Sequence, residues 1–165
     1  MNDKYNFIDA NGNLLWKGEW FDNTGYFNKD GIAAVILNGK VNFIGTNGKI
    51  LWNGEWFDEV GHFENGFARV YLKNKYNLID LNGNLLWKGK EWFDWIGDFK
   101  DGFAKVQLNG KWNFIDIEGN LLWKGNEWFD GIEYFKDGFA KVHLNGKWNF
   151  IDTDGNLLWK GERLS

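Results

Sequence analysis

The chain has no cysteine and no proline. Without cysteine there is no disulfide, no thiolate nucleophile and no Cys-based zinc site. The missing proline, set beside 22 glycines and abundant asparagine, suits many short strands joined by Asn/Gly turns. Serine occurs once, at Ser165, which removes Ser-based nucleophilic catalysis. Arginine occurs only as Arg69 and Arg163, so the side chain best fitted to bidentate phosphate contacts is nearly missing. Together with a net charge of −4 and charges that alternate in sign, this argues against a duplex nucleic-acid partner. No apolar run reaches the ~18 residues needed to span a membrane. The opening residues MNDKYNFIDANG have no signal-peptide pattern. A soluble cytoplasmic protein without a membrane partner is expected.

What the chain does have is aromatic residues and repetition. Aromatics reach 19% with twelve tryptophans, within 44% apolar residues overall. At 165 residues a single domain would bury roughly two thirds of its unfolded surface. The stretch KWNFIDTDGNLLW from Lys147 recurs as KWNFIDIEGNLLW from Lys111, KYNLIDLNGNLLW from Lys75, KVNFIGTNGKILW from Lys40 and KYNFIDANGNLLW from Lys4. Its first Asn falls at residues 6, 42, 77, 113 and 149, a period of 35 or 36. A period in that range marks a repeat architecture. Each copy reads as a β-hairpin whose turn holds a fixed glycine at 12, 48, 83, 119 or 155, a place where a Cβ would strain the backbone.

A second module follows each hairpin. Glu-Trp-Phe-Asp stands at 19–22, 55–58, 91–94 and 127–130, and Phe27, Phe63, Phe99 and Phe135 come a few residues later. Then a turn with Gly31, Gly66, Gly102 or Gly138 leads into a strand, of which Phe139-Ala-Lys-Val-His-Leu144 is the clearest. Its Ala, Val and Leu alternate on one face while Lys and His take the other. Asn-Gly then joins it to the next hairpin at residues 38–39, 109–110 and 145–146, the strongest short-range signal for a type I′ turn. Copy two has Lys73-Asn74 there instead. The expected unit is a three-stranded antiparallel meander, with the Trp-Phe segment as an irregular fourth candidate and no helix.

These residues resemble the bacterial WG-repeat (KWG-repeat) family. The resemblance rests on Gly110-Lys-Trp-Asn-Phe-Ile-Asp116 with Gly119, on Trp128-Phe-Asp130, and on Phe135-Lys-Asp-Gly-Phe-Ala-Lys-Val142. It implies tandem β-repeats, mostly without an assigned activity. Two departures stand out. Asn replaces the family's glycine after Trp in every copy, and Trp itself survives only as Trp112 and Trp148, being Tyr5, Val41 and Tyr76 elsewhere. Such an Asn either takes a left-handed bulge or bonds a neighbouring backbone through its amide. The bulge is the expectation.

The expected architecture is an all-β tandem array in one domain, 1–165, with repeats 4–39, 40–74, 75–110, 111–146 and a final half repeat 147–165. Equal half units at both ends favour an open twisted stack over a closed propeller-like ring.

Chemistry finds little footing. His62 and His143 sit at different places in their repeats, so no metal or other cofactor is expected. Glu127 and Asp130 bracket Trp-Phe like a sugar-hydrolysing pair, yet the bracket occurs four times. Asp152-Thr-Asp-Gly-Asn156 lacks the distal ligands of a calcium loop, which leaves turn chemistry. No enzyme activity is expected. Trp123 and Trp128, at fixed places, read as stacking core rather than as ligand platforms.

Functional candidates lie where copies disagree. After Trp-Phe-Asp come Asn23, Glu59, Trp95 or Gly131, and slightly later Tyr26, His62, Asp98 or Tyr134. Either these make a surface for a protein partner or small ligand, or they are scattered exposed aromatics. The first function class is a non-catalytic protein-interaction scaffold. The alternative is a small-ligand module taking a glycan or nucleotide on Trp/Tyr platforms. The strand Ile32–Leu37 has Ala34 and Ile36 on its outward face, where later copies carry polar or aromatic residues. A homodimer through this first repeat is expected to cover that face.

Overall fold

The computed structural model describes residues 2–160. Within them the chain is all-β: four antiparallel sheets of three strands each, arranged in series, none closed into a barrel. The first sheet holds β1 (Asn23–Thr24), β2 (Ile32–Leu37) and β3 (Lys40–Gly45). The second holds β4 (Glu59–Val60), β5 (Phe67–Leu72) and β6 (Lys75–Asp80). The third has β7 (Trp95–Ile96), β8 (Phe103–Leu108) and β9 (Lys111–Asp116), and the fourth β10 (Gly131–Ile132), β11 (Phe139–Leu144) and β12 (Lys147–Asp152). Each sheet straddles two sequence repeats, because the strand closing one repeat pairs with the hairpin opening the next. The chain divides into two compact units, Met1–Leu85 with the first two sheets and Leu86–Ser165 with the last two. The final half repeat runs past the described residues at 160.

The turns between the two long strands follow the expected chemistry. Asn38, Asn109 and Asn145 have φ of 52°, each followed by a glycine at 75–76°. Copy two reaches the same turn without glycine, through Lys73 at 51° and Asn74 at 64°. Such a turn sets the register, so Gln107 faces Trp112 and Val106 faces Asn113.

Two expectations need correcting. The Leu-Leu-Trp return of each hairpin makes a single bridge, such as Ile115 to Leu121, and no strand. The third strand of each sheet is instead the two-residue segment after Trp-Phe-Asp, for instance Trp95–Ile96 beside β8. The repeated Asn takes no left-handed backbone. Asn113 is fully buried, donates from Nδ2 to the Trp123 carbonyl (3.0 Å), and accepts at Oδ1 from the N–H of Phe114 (2.8 Å) and Trp123 (3.0 Å). Asn6, Asn42 and Asn149 make the same clamp on Trp16, Trp52 and Trp159. The side-chain amide takes over where the departing return arm leaves the ladder, so main-chain groups that burial would otherwise orphan are satisfied.

The fixed hairpin glycine answers to a neighbour as well as to backbone freedom. A Cβ on Gly119 would stand 2.3 Å from the Leu86 carbonyl oxygen, and on Gly48 2.3 Å from that of Leu15. Gly12 shares the positive φ but meets nothing within 4 Å. The core of the fourth sheet is Ala140, Val142 and Ile151 with Phe114, Phe129 and Phe135. That of the first is Ala33, Val35 and Ile44 with Phe21. Trp56 lies 6.5 Å from Phe21 and Trp128 6.4 Å from Phe93, so within each unit the second Trp-Phe segment packs on the first. This matches the stacking role expected of Trp128.

Candidate functional site

Strand alternation gives each sheet an inward and an outward row of facing residues. Inward, the pairs are Ala with Ile and Val with Asn in all four copies: Ala33–Ile44 and Val35–Asn42, then Ala68–Ile79 and Val70–Asn77, Ala104–Ile115 and Val106–Asn113, Ala140–Ile151 and Val142–Asn149. The outward row is different each time. Across the three strands it reads Asn23, Ile36, Val41 in the first sheet, and Glu59, Tyr71, Tyr76 in the second. It becomes Trp95, Gln107, Trp112 in the third and Gly131, His143, Trp148 in the fourth.

The structure therefore gives Trp95 companions that the sequence reading missed. Its ring is 37% exposed and meets Trp112 edge-on at 5.6 Å across Gln107. The signal for half of this was present, since the Asn109-Gly110 turn fixes Gln107 opposite Trp112. The pairing of β7 with β8 was not readable. In the second sheet Tyr71 packs on Tyr76 at 4.7 Å, and in the fourth His143 lies 4.5 Å from Trp148.

The other variable position is less uniform. Tyr26 is 98% exposed, and His62 and Asp98 are exposed as well. Tyr134 is half-exposed, and its ring face is covered by the Lys105 ammonium at 3.8 Å. Lys105 also donates to the Ile132 carbonyl at 3.2 Å, and burial lowers its pKa. Thus Lys105, next to Gln107 on the outward face of β8, joins the third sheet to the fourth. Ala34 and Ile36 are half-buried and line a shallow groove of about 500 Å³ with Thr24, Val41, Glu59 and Val60.

The repeated carboxylates act on the backbone. Asp130 accepts from Lys111 and from the Asn145 N–H (2.8 Å), and Asp22 accepts from Lys4 (2.5 Å) and the Asn38 N–H (2.6 Å). Asp58 holds Lys40 and the Lys73 N–H in the same way. Each of these three carboxyls sits below its ordinary pKa, first because of the lysine and then because of the main-chain donor. Asp152 accepts from the N–H groups of Asp154 and Asn156 within its own turn, as a turn residue should. Among the described residues, no group of three or more His, Cys, Asp or Glu is placed to hold a metal ion.

The sequence profile described as WG containing repeat matches residues 43–76, 93–112 and 129–148. The chain is a WG-repeat protein. The matched segments cover β5, β8 and β11 with the turn after each, and end two residues into β6, β9 and β12. No curated protein matches the chain. Among solved structures it is similar to KlHsv2 with loop 6CD replaced by a Gly-Ser linker, at 10% identity and a TM-score of 0.41, over 82% of this chain and 51% of that one. A protein of unknown function from Bacteroides caccae shares 14% identity at a TM-score of 0.31, over 96% and 74%. AztD from Citrobacter koseri shares 14% at 0.42, over 80% and 43%. This WG-repeat chain spans about half the length of the first and third. These likenesses are partial and carry nothing about what it does.

Proposed function

We propose that this WG-repeat chain is a non-catalytic scaffold that recognises a protein partner through its outward rows. The observation that carries this is the contrast within single strands: the inward row repeats in every copy, while the outward row differs from sheet to sheet, with Trp112 and Trp148 the one identity two sheets share. Stability alone asks only that an outward position be compatible with a strand. A half-exposed row of Trp, Tyr, His and Gln is instead the composition of a recognition surface. Small-ligand binding to a glycan or nucleotide is the second reading, favoured by the exposed Trp95 beside Trp112 in unit two. It has less room elsewhere, because the Tyr134 face is already covered by Lys105.

The experiment is affinity capture with the parent chain and Trp95→Ala, followed by identification of what is retained. Trp95→Ala is expected to lose the partner while changing stability by only about 1 kcal/mol, the scale of one aromatic contact. Capture that ignores the substitution would sink the assignment of this row. A tryptophan-fluorescence titration with sugar and nucleotide panels tests the second reading. Saturable quenching by one class would replace the scaffold with a ligand module.

A further inference from the structure

The outward face of the third sheet holds an aromatic corner that is fixed in place. Trp95 and Trp112 flank Gln107 across β7, β8 and β9, with their indole planes at 67° and ring centroids 5.6 Å apart. The residue after Trp95 on β7, Ile96, is 1% exposed and ties this short strand to the core. The far edge of the Trp95 ring lies back over Gly97. A Cβ on Gly97 would stand 2.7 Å from Trp95 Cη2, so any side chain there would push the ring aside. In the fourth sheet, where Gly131 stands in place of Trp95, Glu133 takes the place of Gly97. Bounded by Gly97 and Trp112, the exposed ring has little rotamer freedom left to lose on binding.

The polar chemistry of this corner is one-sided. Trp95, Gln107 and Trp112 each carry an N–H donor, and Gln107 Oε1 is the one acceptor on the three side chains. Among the described residues, none of these side-chain groups is held in a hydrogen bond. The core indoles differ, since Trp123 Nε1 donates to the Glu127 carbonyl at 2.9 Å. Asp94, next along the chain from Trp95, turns away to accept from the Asn109 N–H at 2.6 Å. The cation beside the corner, Lys105, is committed to the Ile132 carbonyl at 3.2 Å and the Tyr134 ring at 3.8 Å.

These features sort the ligands that an aromatic platform can take. A phosphate would have to draw Lys105 off both its partners. A sugar presents hydroxyls that donate as well as accept, and the corner offers them donors almost alone. A cationic side chain would face Lys105 and find no carboxylate in the row. A polyproline II segment fits. Its prolines have no N–H, its carbonyls make no internal hydrogen bonds, and its pyrrolidine rings turn C–H edges to an indole face. It is already extended before it binds, which keeps the entropy cost low.

We propose that the row Trp95–Gln107–Trp112 recognises a proline-rich segment of a protein partner, bound as a polyproline II helix. One pyrrolidine sits in the corner between the indoles, and the carbonyls beside it accept from Gln107 Nε2 and an indole N–H. The proposal rests on the reading of the outward rows as a partner surface and names that partner's chemistry. Gly97 is a positioning residue, since it acts through the ring it makes room for. One site per chain is expected, because Glu59 brings a carboxylate into the second sheet's row and Gly131 removes a ring from the fourth.

The test is calorimetric titration of the full chain with a blocked peptide of about eight prolines, about 25 Å long in this conformation. Saturable binding is expected, with none to a glycine-serine peptide of the same length. Trp95→Ala should weaken it at least about thirtyfold, as for an aromatic anchor. Gly97→Ala should weaken it about tenfold with the melt little changed, because the new Cβ displaces the ring. Gly61→Ala, at the equivalent place in the second sheet, puts its Cβ 3.7 Å from the nearest neighbour and should leave binding as it is. Absence of saturable binding, or affinity indifferent to both Trp95→Ala and Gly97→Ala, overturns the proposal. A chain that ignores the proline peptide, yet captures a protein that Trp95→Ala loses, overturns this inference and leaves the scaffold reading standing. Capture that also ignores Trp95→Ala takes both down.

Discussion

The two faces of β8 obey different rules although they share five peptide bonds. Ala104 and Val106 point inward and are fully buried, and they have the same identity in every copy. Lys105 and Gln107 point outward, half-buried, and their places are taken by Ala34 and Ile36, Arg69 and Tyr71, or Lys141 and His143 elsewhere. The inward face is fixed because each residue there is closely packed in a buried core, where a change of volume has no water to yield to. The outward face meets solvent or a variable partner and is free to drift or to be selected. The same contrast separates Asn113 from Asn149, one chemistry in two degrees of burial.

The largest expected effect comes from breaking the buried clamp. Asn113→Ala leaves the N–H groups of Phe114 and Trp123 and the Trp123 carbonyl without their partner. At about 1–3 kcal/mol for each unsatisfied buried group, the loss should be about 3 kcal/mol or more. Asn149→Ala removes the same three bonds where water can replace them, and should cost about 1 kcal/mol. Urea unfolding of both variants measures the difference. Equal losses would mean that burial is not what makes the clamp matter.

Glycine gives the next contrast. Gly119→Ala carries about 1–2 kcal/mol for the left-handed backbone and, with the Leu86 carbonyl 2.3 Å from the new Cβ, about 1–3 kcal/mol of overpacking. Gly12→Ala carries only the first cost, since nothing lies within 4 Å. Thermal melts of the pair check this. A Gly12→Ala chain as unstable as Gly119→Ala would show that repeat-to-repeat contact plays no part in fixing the residue.

Much of this organisation was legible in the sequence, and the failures have physical causes. Asn-Gly turns and fixed glycines could be read because few residues accept positive φ, so composition there is geometry. The repeated Asn could not be decided, because the same side chain suits a left-handed bulge and an amide clamp, and only the partner ten residues on distinguishes them. Leu-Leu-Trp looks like a strand because it is apolar, yet it leaves the ladder after a single bridge, and its residues range from buried Leu86 to exposed Leu158. The true third strand is two residues long and different in every copy, as Asn-Thr, Glu-Val, Trp-Ile or Gly-Ile, which leaves no pattern to detect. Trp95 stood out as an oddity. Lys105 over Tyr134 did not, because that contact joins β8 to the loop after β10, far along the sequence.

A smaller effect should appear on acidification. Asp22, Asp58 and Asp130 have folded pKa values below the ordinary carboxylate, held there first by Lys4, Lys40 and Lys111. A carboxyl whose pKa is lowered by folding adds stability that is present above its unfolded value, near 4, and lost as pH falls through the folded one. Asp9 and Asp152, held by turn N–H groups, act in the same sense. The melting temperature should therefore be level from about pH 7 to 5 and decline below about pH 4. Because the groups lie at the surface, added salt should shrink the decline that the lysine pairs cause and spare that due to turn bonds. A melting temperature unchanged down to about pH 2.5 would count against all five carboxyls.

The smallest effect on stability, and the sharpest on association, is expected at the outward face of the first sheet. Ala34 and Ile36 make β2 apolar on both sides, and with Val41 and Val60 they line a groove that also carries Glu59. In the third sheet the corresponding outward place belongs to Lys105, which reaches the Ile132 carbonyl of the next sheet and covers the Tyr134 ring. Alanine at 34 cannot do that, so apolar surface stays half-exposed where the other copies are covered or polar. We propose a second copy as the cover, meeting the same patch about a two-fold axis. Ile36→Lys places a charge at the rim, where its stem can lie along the groove and its ammonium reach water or Glu59. The folded chain should tolerate this within about 0.5 kcal/mol, as a surface change. An interface built on that patch should not. Light scattering of the parent should give a dimer mass, and Ile36→Lys a monomer with an unchanged melt. A parent that is monomeric at high concentration would leave the first sheet with no need of a cover.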